Sequence, residues 1–467
     1  MEALPDTLLL DIVKRITRTS DRSSFSLGSK RLYAIEAEGR EFIRVGCGLH
    51  PATEALTSLC MRFPNLRKVE IVYSGWMSNL GKQLDNNAIL VLSSHCPGLT
   101  DLTLSFCSFI TDSGLGYLAS CKNLRSLKLN FTPAISSNGI LSLVVGCKNL
   151  SCLRLIRCMR VNSVEWLEYL GKLGTLEELL IKNCRAIGED DLIRLGPGWK
   201  SLKRLEFEVD AYHRLPKVHD HLSADRWRRS DFLCENLKEL SLVNCIIDSG
   251  RGLSFLLGKC KALEKLHLDM CVGLKDSDMV ALSQMARNLK SISLRLPSQY
   301  LAPILVNIPL RLTDNGLKEL ASGCSMLEVV ELSFSDSEFP TLCCFTQEGV
   351  LTLIKSCPIR VLVLYCAYFF NDAGMKALRR LQFLETLELV KCQEVTDAGI
   401  QLIIHFPRLT NLTLCRCLGV SDIGLEPLVG SRKLESLTVK DCPQVSQEGV
   451  EGAARSVSYM QDMSWLY

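Results

Sequence analysis

The side chains most capable of chemistry in this 467-residue chain are its 22 cysteines and one short stretch dense in histidine and arginine. Thiolates and imidazoles bind zinc or act as nucleophiles when defined spacings bring them together. No Cys-x-x-Cys pair occurs, which removes the commonest zinc and redox spacing. The stretch at about 209–233 holds Tyr212, His213, His219, His221, Trp227, Arg228 and Arg229. His219-x-His221 with a distant His213 fits no standard zinc arrangement, so a solvated loop without metal is expected. Trp227 is expected there as a peptide contact or as the loop's own anchor. The G-x-x-x-x-G-K-[ST], H-E-x-x-H and G-x-S-x-G signatures are also absent. No catalytic residue and no cofactor are therefore expected, and the chain is not expected to be an enzyme.

The cysteines have positions that a repeat explains. Six stand at corresponding points ahead of Leu-rich stretches (Cys96, Cys121, Cys147, Cys260, Cys324, Cys357). Nine stand just after them (Cys107, Cys158, Cys184, Cys245, Cys271, Cys366, Cys392, Cys417, Cys442). Between these points runs LxxLxL, whose first residue falls at Leu66, Leu99, Leu124, Leu150, Leu176, Leu202, Leu237, Leu263, Leu289, Leu327, Ile359, Leu384, Leu409 and Leu434, mostly 25 or 26 apart. That spacing belongs to leucine-rich repeats, about 14 of them. The LxL alternation predicts a short strand with one buried face, and the later G-[LI]-x-x-L, as at Gly114, Leu115 and Leu118, predicts a helix. Thr-Asp recurs before that helix at Thr111-Asp112, Thr313-Asp314 and Thr396-Asp397, with Ser421-Asp422 as a variant, and can cap exposed N–H groups.

A single unit cannot cover its own apolar face, so the units must stack. The expected fold is α/β: a right-handed horseshoe solenoid with a parallel inner sheet and outer helices. The cysteines then read as small buried side chains in a ladder. The signature C-x-x-L-x-x-L-x-L-x-x-C-x-x-[IL]-[TS]-D over residues 63–452 resembles the cysteine-containing subclass of leucine-rich repeats.

Bulk properties agree with a folded binding protein. Apolar residues make up 47% of the chain and charged residues 22%, far from the composition of disorder. Net charge is +3 from 54 basic and 51 acidic residues, too balanced for non-specific nucleic-acid binding. No apolar run approaches the roughly 20 residues that span a bilayer, and MEALPDTLLLDIV has no basic start of an export signal. Reduced thiols and a cytoplasmic or nuclear location, away from membranes, are expected.

Residues 1–45 do not fit the repeat. Pro5 suits the first turn of a helix with Leu8, Leu9, Ile12, Val13 and Ile16 on one side. DRSSFSL and SKRLYAIEAEGREFI add two more short helices, and three such helices are too small to be stable alone. In order and spacing LPDTLLLDIVKRI, DRSSFSL and SKRLYAI resemble an F-box, with Leu4, Pro5, Leu8, Leu9, Ile12, Ser26, Leu27, Lys30 and Arg31 matching. Where that family usually has Val-Cys-[KR]-x-Trp, this chain reads Gly28-Ser29-Lys30-Arg31-Leu32.

The resemblance implies docking on a Skp-type adaptor and through it on a cullin-RING complex. It assigns adaptor contacts to Leu4, Pro5, Leu8, Leu9, Ile12, Leu27, Lys30 and Arg31. The bland alternative is a helical cap for the solenoid, a task that a helix in residues 46–62 is expected to perform together with a linker. Residues 453–467 are expected as a C-terminal cap or tail.

A protein target is expected on the concave face, where residues between the buried leucines point. These include Lys128, Arg154, Lys182, Arg204, His267, Asp269 and Arg295, then Val361, Val363, Tyr365 and Val390. A basic strip suits an acidic or phosphorylated peptide, yet Glu178, Glu206 and Glu208 interleave with it, so internal ion pairs are an equal expectation. Extra residues at about 209–233, 296–311 and 334–345 place candidate specificity loops on one rim. The expected function is the substrate-recognition subunit of a Skp–cullin–F-box ubiquitin ligase. An adaptor-independent scaffold and a small-molecule receptor, by analogy with plant hormone receptors of F-box type, are the alternatives.

Overall fold

The computed structural model describes residues 4–47, 51–74, 83–210, 234–247, 252–297, 312–334 and 345–462. The three expected rim inserts lie almost wholly outside the described residues, as do Trp227, the three insert histidines and residues 463–467 of the expected tail. The chain divides into two compact units, with the change-over between residues 202 and 217.

The first unit opens with α1 (Asp6–Arg15), α2 (Thr19–Leu27) and α3 (Lys30–Gly39). Strands and helices then alternate: β1 (Phe42–Gly46), α4 (Ala52–Arg62), β2 (Lys68–Val72), α5 (Asn86–His95), β3 (Asp101–Ser105), α6 (Asp112–Leu118), β4 (Ser126–Asn130), α7 (Ser137–Gly146), β5 (Cys152–Ile156), α8 (Glu165–Leu173) and β6 (Glu178–Lys182). Each strand pairs in parallel with the next. A 3-10 segment, Glu189–Lys200, replaces the following helix, because Gly196, with φ +49°, and Pro197 break an α-helical path. Strand β7 (Arg204–Glu208) follows where the chain passes between units.

The second unit continues the scheme with β8 (Glu239–Val243), β9 (Lys265–Asp269), β10 (Ser291–Arg295), β11 (Val329–Ser333), β12 (Val361–Tyr365), β13 (Thr386–Val390), β14 (Asn411–Cys415), β15 (Leu434–Lys440) and β16 (Ala454–Met460), again all parallel. Each unit is thus the expected solenoid of parallel strands backed by helices. The fourteen framework positions read from the sequence are β2 to β15. Strands β1 and β16 extend the set at both ends, so the expected boundary at residue 45 falls inside β1, and part of the expected C-terminal tail is a strand.

Alternation sets the two faces. In β3, Leu102 and Leu104 are buried while Asp101 and Thr103 remain half exposed, and β4 to β14 mostly repeat this. Each fully buried Leu contributes about 1.5–3 kcal/mol.

Ten of the strands stop abruptly because the residue after them turns left-handed. Phe106, Phe131, Arg157, Asn183, Asn244, Met270, Cys366, Lys391, Arg416 and Asp441 have φ between 51° and 58°. Their N–H groups still donate to the next strand, as from Phe131 to the Ile156 carbonyl at 2.9 Å. The chain then turns inward and the next residue, usually Cys, donates its thiol to a carbonyl of the preceding strand. Cys271 reaches Leu242 O at 3.3 Å, Cys392 reaches Leu364 O at 3.5 Å and Cys417 reaches Leu389 O at 3.4 Å. The ladder therefore uses the thiol as a weak donor as well as a small apolar group. Two repeats differ: Thr132 follows the left-handed Phe131, and Cys366 itself takes the left-handed position, so that Ala367 fills the slot of the usual thiol.

The Thr-Asp pairs divide their work. Thr396 Oγ1 caps its own helix by accepting from Ala398 N at 3.3 Å. The acidic residue reaches into the following repeat: Asp372 takes Thr396 N at 2.9 Å and Thr396 Oγ1 at 2.6 Å, and Asp397 holds Ser421 the same way at 2.7 Å for both bonds. Asp112, Asp276, Asp314 and Asp422 repeat the clasp on Ser136, Thr313, Thr346 and Ser446. It also explains a glycine: a Cβ on Gly399 would stand 2.3 Å from Asp372 Oδ1.

Candidate docking surfaces

The N-terminal helices have a core of their own. Leu9, Val13 and Ile35 are buried together, with Leu4, Leu10, Phe25 and Leu32 packed around them. Pro5 sits at the N-cap of α1, one position ahead of the expected first turn, and Ser29 caps α3 by accepting from Leu32 N at 3.1 Å. Arg31 ties α3 to the start of α1, bonding Asp6 Oδ1 at 2.8 Å and the Leu4 carbonyl at 2.5 Å. The apolar side of α1 is therefore split in two. Leu9 and Val13 point in, whereas Leu8 is 50% exposed, Ile12 41%, and Leu27, at the end of α2, 84%.

Of the expected adaptor contacts, Leu8, Ile12 and Leu27 thus form the apolar exposed set, with Pro5 and Lys30 also on the surface. Leu9 is wholly enclosed, Leu4 packs on the small core, and Arg31 is occupied by the chain itself, which makes these three positioning residues.

The N-terminal helices and the first repeat, expected to be separate in their tasks, are joined by side chains. Glu36 on α3 is fully buried between two arginines: Arg40, one turn on, and Arg62 at the end of α4, whose guanidinium lies 3.2 Å from the carboxylate. Arg62 also reaches Ser26 Oγ at 3.4 Å and stacks 4.1 Å from the centre of the Tyr33 ring. Asn65 donates to the Glu38 carbonyl at 3.0 Å, and β1 runs straight out of α3 into the sheet. Sequence reasoning missed Glu36, because a mid-helix glutamate reads as a solvated one.

On the open face of the first unit, the expected basic positions do not make one strip. Register places Lys128 opposite Arg154, while Lys182 lies opposite Ile156, one row away. Arg154 is neutralised by Glu178 at 2.9 Å, with Lys68 and Glu70 paired at 2.9 Å. In the second unit Arg204 bonds Glu206 and lies 3.4 Å from Glu239, and Arg295 faces Asp269 at 3.8 Å. The internal-pairing expectation is the one the geometry favours. His267 stands between Ser241 and Ser293 in register.

The apolar group does come together. Val361, Val363 and Tyr365 are successive outward positions of β12, and Val390 lies opposite Tyr365. Val329 joins them opposite Val361, and Cys415 opposite Val390. Arg295 and Lys391 lie 5.8 and 5.7 Å from the centre of the Tyr365 ring. Register also sets Glu331 and Glu388 on either side of Val363.

Most of the described cysteines are buried. Every cysteine among the described residues is a free thiol, and burial pushes Cys107, Cys147, Cys324 and Cys392 up to about 12. A thiol held protonated is a poor nucleophile and a poor metal ligand. Among the described residues no group of three or more His, Cys, Asp or Glu is placed to hold a metal ion, and no helix is long and apolar enough to cross a membrane.

Parallel strands on a repeat near 25 residues, with a buried leucine framework, define a leucine-rich-repeat protein. The family profile described as Leucine Rich repeat matches residues 95–119. GRR1-like protein 1 of Arabidopsis thaliana is 23% identical over 409 residues, covering 80% of this chain and 66% of that relative, so the chain spans just under two thirds of its length. Among solved structures, the Rad7 and Elc1 complex of yeast matches with a TM-score of 0.48 and 16% identity over 100% of both chains. A TLR13–ssRNA13 complex matches with a TM-score of 0.48 and 18% identity, covering 86% of this chain and 47% of that one.

Proposed function

We propose that the chain is the substrate-recognition subunit of a Skp–cullin–F-box ubiquitin ligase, acting in the cytoplasm or nucleus. The observation that carries this reading is the split α1: a small core already satisfied by Leu9 and Val13, with Leu8, Ile12 and Leu27 left uncovered beside it. A helical segment that served only as a cap would turn such residues inward. The F-box-like order of the three helices and the similarity to GRR1-like protein 1 support the same reading. The open sheet faces then hold a protein target, the rim inserts add specificity, and transfer chemistry belongs to the partner complex, which gains from proximity.

Capture of a purified Skp-type adaptor by the full chain tests it, with Leu8→Ala/Ile12→Ala as the comparison. Both side chains are exposed, so the double variant keeps its fold and loses capture. If the unaltered chain captures no adaptor where a known F-box does, or the variant captures equally well, the ligase reading falls.

A further inference from the structure

Most acidic side chains on the open faces are already matched. Glu70 has Lys68, Glu178 has Arg154, Glu239 has Arg204 and Lys265, and Asp269 has Arg295. Glu331 and Glu388 differ: neither has a hydrogen-bond or ion-pair partner among the described residues. They flank Val363 in the register, so their Cα atoms stand two strand spacings apart, roughly 9–10 Å. Burial raises the Glu388 carboxyl above the usual glutamate range, and the charge of Glu331 raises it further. Two carboxylates close together, with the aliphatic group of Val329, Val361, Val363 and Val390 around them, have no counter-charge among the described residues.

We propose that this face of β11–β13 receives a lysine or arginine side chain carried on an apolar segment of the protein target. The cation sits between Glu331 and Glu388 above Val363, and aliphatic neighbours lie against Val361, Tyr365 and Val390. This rests on the reading of the open face as the target-holding surface. The ring of Tyr365 is already approached by Arg295 and Lys391, so the carboxylates are where an incoming cation finds unmatched charge. An anionic segment would meet like charge there, and a neutral apolar one would strip water from both carboxylates with no compensation.

Selection of short random peptides displayed on phage against the full chain tests the proposal, with Glu331→Gln/Glu388→Gln and Val363→Arg run in parallel. The unaltered chain enriches a Lys or Arg flanked by Leu, Ile, Val or Phe. The double variant loses that preference while melting at or above the unaltered chain, since like charges have been removed. Val363→Arg supplies the guanidinium internally, abolishes the enrichment and raises the melting temperature. Replacing the basic residue of the best selected peptide by citrulline or norleucine weakens binding about tenfold or more to the unaltered chain and leaves binding to the double variant unchanged. Failure to enrich any peptide, enrichment without a basic residue, or the same basic preference in the folded double variant overturns the proposal. Adaptor capture on the same preparations separates the two readings: its loss with the peptide result intact removes only the ligase role, and the converse removes only this site.

Discussion

Replacing Glu36 with glutamine should loosen the N-terminal helices from the first repeat while leaving the rest of the chain folded. The carboxylate is fully enclosed and serves two guanidiniums, Arg40 on its own helix and Arg62 across the joint. Glutamine keeps the shape but leaves two partly buried cations without their shared anion, a change that typically destabilises by about 3–5 kcal/mol. Arg62 is 30% exposed along its side chain, so water recovers part of that, and the lower end, about 3 kcal/mol, is the expectation. Because repeat arrays respond locally, the loss should appear in residues 6–46 and fade within the neighbouring repeats. Native-state hydrogen exchange reads it directly: amides of α1 and α3 should open more easily by about 3 kcal/mol, while those of β12–β14 stay unchanged. Adaptor capture should fall in step, since Leu8 and Ile12 are presented by the same small core. An E36Q chain whose α3 amides exchange within about 1 kcal/mol of the original would refute the view of this ion cluster as the joint.

Substitutions at four further positions probe the scaffold and its open face. Gly399→Ala drives a methyl group against Asp372 Oδ1, 2.3 Å away, and should lower stability by about 1–3 kcal/mol in urea unfolding, whereas Asp372→Ala/Gly399→Ala should cost less than the two single changes combined. Cys392→Ala removes a buried thiol and its bond to Leu364 O; a loss of about 1–2 kcal/mol is expected, partly restored by serine, which keeps a donor. Glu388 is predicted to make folding pH-dependent. Its raised folded-state pKa means the folded chain binds that proton more tightly than the unfolded one, so stability falls as pH rises from the ordinary glutamate range through the elevated value. Glu388→Gln should flatten that part of the melting-temperature profile, and an unchanged profile counts against the assignment.

The fourteen central strands were readable because two periods coincide there, a twofold alternation within each strand and a spacing near 25 residues between them. The terminal strands carry weaker signals, although Ile43 and Val45 of β1 do stand in register with Val69 and Ile71. FIRVG lacks the leucine framework, and ARSVSYM is largely exposed, so only pairing with β15 makes it a strand. The helix α1 was legible as amphipathic, but Leu8, Leu9, Ile12 and Val13 all lie on the apolar side, and only the packing of α2 and α3 decides which two turn inward. Long-range electrostatics were the least visible. Glu36 needs Arg62, 26 residues on, to become a buried joint. Glu331 and Glu388 look like ordinary surface charges until the register shows valine between them.

The aspartate clasps all run the same way along the chain, each carboxylate belonging to the repeat made earlier and each hydroxyl to the one made later. As the polypeptide leaves the ribosome, the acceptor is always in place before the donor emerges. Each repeat joined by such a clasp therefore meets a ready-made template on the one just completed, and those parts of the array can grow vectorially without holding half-capped helices open for a segment still to be translated.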